Sequence, residues 1–262
     1  MLVSSRWAWA GKLYANCFSC MALGKKNAKM LAPTWIHFSP GPFLRRERDK
    51  WIYHGLFYSG EPCIGGLKKM AILLLFSRNR ATGNKGESRE FTGLGRYFEE
   101  MLDEHEDVQN LFRHMIRSKA LLRLASEDFS NSIAVHIRLG DYSLSARTPL
   151  EWYAAVMQKV QQVNPSAQFR IFSDGTDEEL ALVLKFPNTR RCFMGNALAD
   201  MVAISRCQLL LGSDSTFSGR GAYLGQIPCI WAAKHFGRVL VDSWKEIVMS
   251  RPEEIPPASI TL

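Results

Sequence analysis

The second half of the chain alternates short apolar runs with segments of helical periodicity, and this alternation constrains the fold more than any other feature. The runs are rich in β-branched residues, and the segments between them open on capping residues. This order is typical of a parallel sheet covered by helices. The sequence therefore predicts an α/β fold in which the strands span residues 133–137, 169–172, 191–194, 208–211 and 228–231.

Capping residues mark the helix starts between these strands. Thr148 and Thr176 each open a Thr-x-x-Glu capping box, the first with Pro149 at the first helical position. We expect Asn196 to cap a third helix and a fourth to begin near Thr216. The sheet-facing residues of the first and third helices are predicted to be Leu150, Tyr153, Met157 and Val160, and Leu198, Met201, Val202 and Ser205.

The first half of the chain is also mixed but less regular. It predicts a strand at 2–5, a helix at 13–29 and a buried strand at 70–76. The polar stretch 77–90 is predicted to be a mobile loop, and 91–124 to be mostly helical. Together the halves predict two domains, 1–128 and 129–262.

Composition places the chain among ordinary globular proteins, with 47% hydrophobic and 22% charged residues. The formal charge of +8 favours anionic partners such as nucleotide phosphates, acidic glycans or lipid headgroups. The basic run at 43–50 is interleaved with acids and is interpreted as a solvated face. Nucleic-acid binding, which needs a continuous basic surface with exposed aromatics, is not expected.

The cysteines and the apolar runs bear on the compartment. The six cysteines follow no disulfide framework, and the Cys17-x-x-Cys20 pair is not followed by a second pair at metal-ligand spacing. The longest apolar run, 70–76, is far shorter than a membrane span. We therefore expect a cytoplasmic protein in a reducing compartment, with at most peripheral contact with the inner face of a membrane.

The candidate functional residues follow the predicted strands, where a parallel sheet binds ligands. Arg138 comes directly after the first strand of this half and offers a diphosphate a permanently charged fork of donors. The alternative for Arg138 is a salt bridge to Asp141. Asp174 follows the second strand and either binds sugar or base or caps the next turn.

Hydroxyls and glycines gather after the fourth strand. Ser215, Thr216 and Ser218 can combine with helix-start amides to hold a phosphate, and Gly219 and Gly221 permit close approach. The alternative is a simple N-cap. His136 is either a satisfied core histidine or a ligand, and Asp200 either contacts the donor or favours the positive end of its helix. Because the sequence has no D-x-D, H-E-x-x-H or P-loop, we expect a site without a metal or cofactor.

Three segments together resemble a known group of enzymes. Residues 136–142 (HIRLGDY) are similar to the H-x-R-R-G-D-Y motif of bacterial and animal α1,2-fucosyltransferases, a superfamily that also includes α1,6- and protein O-fucosyltransferases. Residues 171–174 (IFSD) resemble the second motif of that superfamily. Residues 200–207 followed by 215–224 (STFSGRGAYL) resemble the third.

The resemblance implies a GT-B fold, two Rossmann-like domains facing a cleft, with GDP-fucose held by the second domain and a glycan or lipid-linked oligosaccharide acceptor by the first. It implies inverting transfer without a metal, with Arg138 holding the β-phosphate and stabilising the departing GDP. His136 and Asp200 would lie near guanine or ribose. The other donor-binding residues implied are Gly140, Asp141, Ser173, Asp174, Ser215, Thr216, Phe217, Ser218, Arg220 and, in a shortened N-terminal glycine loop, Gly11.

Two departures from the motifs leave alternatives open. Leu139 stands where the second arginine often occurs, and Gly219-Arg220 replaces a tryptophan pair, with Arg220 a candidate to supply the missing charge. The alternatives are a transferase for another GDP-sugar and a nucleotide-sugar-binding protein that has lost or altered its activity. The residues do not identify the catalytic base, for which His37, His54 and Glu61 are candidates.

Overall fold

The computed structural model describes residues 2–5, 29–31, 56, 63–64, 71, 88–91, 98–99, 102–103, 105–140, 145 and 147–260. Contacts divide the chain into two compact units. The first comprises Met1–Tyr97 and Asp103–Leu122, and the second comprises Phe98–Leu102 and Arg123–Leu262. The GT-B arrangement of domains 1–128 and 129–262 about a cleft stays a prediction.

The first unit contains a parallel four-stranded sheet of order β3-β2-β1-β4, formed by β1 (Leu2–Ser5), β2 (Lys29–Leu31), β3 (Cys63–Ile64) and β4 (Ser88–Phe91). The strand predicted at 2–5 is confirmed. The mobile loop predicted at 77–90 is wrong at its end, because residues 88–90 belong to β4 and pair with β1. Pairing with a neighbouring strand can override a weak strand propensity.

One other prediction in this unit needs correction. Ala71 is helical and exposed, so the buried strand predicted at 70–76 is wrong at that residue, which is of the type with the highest helix propensity. Among its described residues, the stretch 91–124 is mostly helical, as predicted: α1 (His105–Met115) is followed by short 3₁₀ turns at Ser118–Leu121 and Arg123–Ser126. The predicted helix 13–29 lies outside the described residues except for Lys29, which belongs to β2.

The second unit is built on a parallel six-stranded sheet. Its strands are β5 (Ser132–Ile137), β6 (Gln168–Ser173), β7 (Thr189–Arg191), β8 (Leu209–Gly212), β9 (Cys229–Trp231) and β10 (Glu246–Val248). Their order is β10-β9-β8-β5-β6-β7. From β5 the chain adds β6 and β7 toward one edge of the sheet. It then returns to place β8 on the other side of β5, and β9 and β10 follow toward the opposite edge.

This sheet confirms the predicted α/β class. Four of the five predicted strands agree with the structure to within one residue at each end, whereas β7 begins and ends earlier than predicted. Strand β10 was not predicted. No residue of β5 or β8 is exposed, as expected for central strands covered on both faces.

The helices of this unit are α2 (Leu150–Val163), α3 (Ala181–Leu184), α4 (Ala197–Ile204) and α5 (Thr216–Gly225). The Asn196 side chain caps α4, as predicted, and Thr176 and Glu179 form a reciprocal capping box in the turn before α3. The box predicted at Thr148 does not form. Pro149 is itself the N-cap of α2, and the Thr148 hydroxyl hydrogen-bonds Tyr153 instead.

Packing on the sheet follows most of the predicted helix faces. Tyr153, Met157 and Val160 of α2 are fully buried against one face of β5, and Leu150 packs partly buried beside them. On α4, Leu198 and Met201 are buried, but Ala203 and Ile204 take the buried places predicted for Val202 and Ser205. None of the helices in the described ranges has both the length and the apolar character needed to cross a bilayer.

Candidate functional site

The candidate site lies where the strand order reverses. Strands β5 and β8 are neighbours in the sheet, yet the chain leaves β5 toward one edge and β8 toward the other, so the loops after them diverge. Open α/β sheets bind ligands in the crevice that this divergence creates. The loop after β5 carries Arg138, and the loop after β8 leads into the hydroxyl-rich start of α5.

A buried polar cluster joins the two strands at this point. His136 alternates with Val135, so its side chain lies on the opposite face from α2. Its Nδ1 atom is 2.5 Å from the Ser218 hydroxyl and 3.0 Å from that of Ser213, and the two hydroxyls are 3.2 Å apart. The Phe217 ring stacks on the imidazole at 4.9 Å between centroids. His136 thus holds the start of α5 against the sheet.

Burial keeps this imidazole neutral. His136 is 5% exposed, and burial, opposed by the Asp174 carboxylate and reinforced by the Arg138 guanidinium, lowers the pKa of His136 to about 3. Burial likewise raises the pKa of Tyr153, whose hydroxyl donates to the His136 carbonyl at 3.3 Å. The cluster is therefore a neutral hydrogen-bonded network rather than a charged one.

Arg138 and Asp174 form an ion pair at 2.8 Å that links the ends of β5 and β6. Asp174 also accepts a hydrogen bond from the Leu139 amide at 2.8 Å and one from the Gly140 amide. Burial raises the pKa of Asp174, but Arg138 and these amides outweigh it and leave the pKa below its usual value. The alternative salt bridge of Arg138 to Asp141 stays a prediction, because Asp141 lies outside the described residues; the ion pair that the structure gives Arg138 is with Asp174.

Gly140 makes room for this arrangement. A Cβ atom on Gly140 would lie 2.6 Å from Oδ2 of Asp174, closer than such atoms approach in proteins. The loop 138–140 therefore wraps around the carboxylate and aims the Arg138 guanidinium. A fork of donors held in this way suits a phosphate, because its orientation is fixed before a ligand arrives.

The start of α5 uses its hydroxyls in two ways. Ser215 is the N-cap and accepts from the Phe217 amide at 3.2 Å, so the N-cap alternative for this residue is what the structure shows. Ser218 is fully buried in the His136 cluster. Thr216 and Phe217 are half-buried at the helix start, where first-turn amides have no intrahelical acceptor and suit an anion.

The remaining predicted residues lie at different depths. The Ser173 hydroxyl accepts from the Gly175 amide at 3.0 Å, and Asp200 in the first turn of α4 accepts from the Met194 amide at 2.6 Å. Arg220 is 1% exposed, so its guanidinium is shielded from solvent. Gly11 lies outside the described residues, as do His37, His54 and Glu61.

Sequence reasoning missed one pair beside the site. Oδ1 of Asp214, the residue between Ser213 and Ser215, lies 2.6 Å from Nδ1 of His235 and 2.9 Å from its backbone nitrogen. The two residues follow β8 and β9, which are neighbours in the sheet. The signal was an acid and a histidine after consecutive strands of the same predicted sheet.

Metal ligation has no support in the described part of the chain, where no group of three or more His, Cys, Asp or Glu side chains is placed to hold an ion. Cys192, Cys207 and Cys229 are buried thiols. Burial raises the pKa of Cys207 and of Cys229 to about 12, which keeps both protonated. Metal-free chemistry stays a prediction based on the sequence.

Comparison with solved structures decides the fold. The NodZ α-1,6-fucosyltransferase soaked with GDP-fucose aligns over 87% of this chain and 92% of its own, with 16% identity and a TM-score of 0.53. The E. coli ADP-heptose lps heptosyltransferase II aligns over 99% and 96%, with 13% identity and a TM-score of 0.51. This is a glycosyltransferase fold.

Within this fold the neighbours differ in chemistry. The fucosyltransferase NodZ from Bradyrhizobium also aligns, over 87% of this chain and 93% of its own, with 15% identity and a TM-score of 0.50. These solved structures thus include an α-1,6-fucosyltransferase and a heptosyltransferase, so the shared fold serves two different sugars and does not favour the α1,2 group. No protein-family model and no curated protein matches the chain.

Proposed function

We propose that the protein transfers fucose from GDP-fucose to a hydroxyl of a glycan or lipid-linked oligosaccharide, with inversion and without a metal, in the cytoplasm or at the inner face of a membrane. The observation that carries this proposal is the convergence of Arg138 and the α5 start at the β5–β8 reversal. The His136 to Ser218 hydrogen bond at 2.5 Å joins the two elements. The resemblance of residues 136–142, 171–174, 200–207 and 215–224 to fucosyltransferase motifs supports GDP-fucose as the donor.

In this mechanism, fixed hydrogen-bond donors stabilise the negative charge that develops on the departing diphosphate. The acceptor oxygen forms a bond to C1 of the sugar, the bond from C1 to the phosphate oxygen breaks, and its electron pair leaves with GDP. Arg138, oriented by Asp174, and the α5 amides stabilise that charge without reorganising, which is the efficient form of electrostatic catalysis. Asp174 is in this view a positioning residue.

The burial of Arg220 favours a second candidate. Leu139 replaces the second motif arginine, and a guanidinium that is 1% exposed does not restore its charge at the crevice surface. A site with less positive charge suits either another GDP-sugar or a protein that binds the nucleotide sugar with reduced turnover. The rate of GDP release from GDP-fucose distinguishes both of these candidates from the proposed fucosyltransferase.

A donor screen tests the proposal. Binding of GDP, UDP, ADP, CMP and their sugars is measured by calorimetry, and GDP release from GDP-fucose is then followed with a set of glycan acceptors. We expect GDP and GDP-fucose to bind most tightly and GDP release to depend on the acceptor. Preference for another nucleotide contradicts the GDP assignment, and tight GDP binding without release with any acceptor supports the binding protein.

A further inference from the structure

Asp214 and His235 form a carboxylate–imidazole pair outside the phosphate-binding groups described above. The Asp214 carboxylate lies 2.6 Å from Nδ1 of His235. Because a carboxylate only accepts, Nδ1 carries the proton, and the lone pair of the neutral ring lies on Nε2. The His235 side chain is 60% exposed, so this nitrogen can meet a ligand.

The pair lies at the edge of the donor crevice. Asp214 directly follows Ser213, whose hydroxyl contacts His136, and directly precedes Ser215, the N-cap of α5. His235 lies in the loop after β9, the strand that pairs with β8. A sugar whose diphosphate rests on the α5 start would therefore share this edge of the sheet with the imidazole.

The loop that carries His235 is held at several points. The Arg238 amide donates to Glu99 at 2.8 Å, and the Val239 and Leu240 amides donate to Glu246 at 2.9 and 3.2 Å. Lys234 forms an ion pair with Glu246. The buried Phe236 ring packs on Phe98 and Trp231. A base on a fixed loop keeps its geometry through the reaction.

We propose that His235, oriented by Asp214, is the general base that takes the proton of the acceptor hydroxyl. The assignment rests on the proposed transferase function. As the acceptor oxygen bonds to C1 and the C1–phosphate bond breaks, the hydroxyl proton moves to Nε2, and the imidazolium that forms is stabilised by Asp214. The proton then leaves to solvent through the exposed side of the ring.

The charged groups around this loop define the pH experiment. They are Asp214 after β8, Glu99 in the segment Phe98–Leu102, and Lys234, Arg238 and Glu246 on the loop and on β10. A base requires an unprotonated imidazole, so turnover should fall on the acid side of the wild-type profile. In a variant without His235 that acid limb should disappear.

The test compares the wild-type chain with His235→Ala, His235→Gln and Asp214→Asn. We expect His235→Ala to lower kcat by about 100-fold, the typical contribution of a general base, with GDP affinity unchanged. Free imidazole should restore part of the His235→Ala rate in proportion to its neutral fraction. The matched control is Lys245→Gln, which removes an ion pair to Asp242 and a cation–π contact with Trp244 and should keep wild-type turnover.

Three results would overturn the base assignment while the transferase stands: near-normal kcat in both His235 variants, a parallel loss of GDP affinity, or no rescue by imidazole. The parallel loss would indicate a structural role for the pair. A wild-type chain that binds GDP but transfers to no acceptor would instead overturn the transferase proposal, and the base assignment with it. His235→Gln keeps a side chain able to bond Asp214, so it guards against simple misfolding of the loop.

Discussion

Nδ1 of His136 and the hydroxyl of Ser218 are 82 positions apart in the chain and 2.5 Å apart in space. This hydrogen bond fixes the start of α5 to the carboxyl end of β5, two residues before Arg138. The two elements proposed to share a pyrophosphate are thus connected through a buried polar group. The stability of the site and the geometry of the site therefore depend on the same side chains.

The neutral state of His136 should make the protein sensitive to acid. Burial lowers the pKa of His136 to about 3, whereas a histidine in the unfolded chain has a pKa near 6.5. Between these values the unfolded chain binds a proton that the folded chain excludes, so the free energy of unfolding should rise with pH in that window. Above it the stabilisation is complete, and we expect a loss of a few kcal/mol on moving from neutral pH to about pH 4.

Urea unfolding at a series of pH values measures this dependence. His136→Gln keeps a polar side chain but does not titrate, so its unfolding free energy should change much less between pH 7 and pH 5. Carboxylates with lowered pKa values, such as Asp174, titrate lower and contribute mainly below that range. Equal slopes in the two proteins would contradict the assignment of the acid sensitivity to His136.

Arg138→Ala should remove most turnover. Deleting a donor that stabilises developing charge costs about 2 to 4 kcal/mol in the transition state, so kcat should fall by about 30- to 1000-fold. Arg251→Ala is the matched control, because that arginine is exposed and forms its ion pair with Glu254, three residues along the chain. Steady-state kinetics of both variants with GDP-fucose make the comparison, and near-normal kcat in Arg138→Ala would remove Arg138 from its role.

Elements with strong local signals could be predicted from the sequence. The capping of α4 by Asn196 and the strand after Asn131 follow from patterns within a few residues. Strand β10 has three residues, Glu246–Val248, and pairs with β9. Two β-branched residues are too short a run to indicate a strand from the sequence alone. Tertiary pairing, not propensity, decides such an edge strand.

The same distinction applies to the site. Strand-end rules place Arg138 and the α5 start at the same edge of the sheet, and the structure joins them through His136. The structure pairs Arg138 with Asp174, which comes from a different strand, and buries Arg220. Both outcomes depend on side-chain directions between distant segments, which spacing along one chain does not encode.

Two glycines of α5 should respond differently to substitution by alanine. A Cβ on Gly219 would lie 2.9 Å from the Phe236 ring and 3.0 Å from Phe98, whereas one on Gly225 would lie 2.0 Å from the Ser205 carbonyl oxygen. Aromatic rings can shift slightly, and alanine improves helix propensity, so Gly219→Ala should cost about 1 to 2 kcal/mol. The backbone of α4 cannot yield as easily, and Gly225→Ala should cost more.

Urea unfolding of the two variants ranks these costs, with the wild-type chain as reference. We predict that the Gly225→Ala variant has a lower free energy of unfolding than the Gly219→Ala variant. The reverse order would show that the close approach of α4 and α5 is not rigid. The fucosyltransferase motif that residues 215–224 resemble has a bulky tryptophan where Gly219 stands, and the rings of Phe98 and Phe236 occupy that space here.

Gly140→Ala should weaken donor binding through Asp174. The added methyl group would lie 2.6 Å from Oδ2 of Asp174, so the carboxylate must rotate away from the Arg138 guanidinium and from its amide donors. A guanidinium that has lost this ion pair is held less firmly, and we expect GDP affinity to fall about tenfold, because small misplacements of a binding group weaken its contacts with the ligand. Calorimetry with GDP measures the change.

A double-mutant cycle with Asp174→Ala tests whether the effect passes through the carboxylate. If it does, Gly140→Ala should have little further effect in the Asp174→Ala background, because the group that the methyl displaces is already absent. Additive losses would show that the methyl group acts directly on the ligand. In that case Gly140 would contact the donor itself, as the motif resemblance implies, rather than leave room for the residue that orients Arg138.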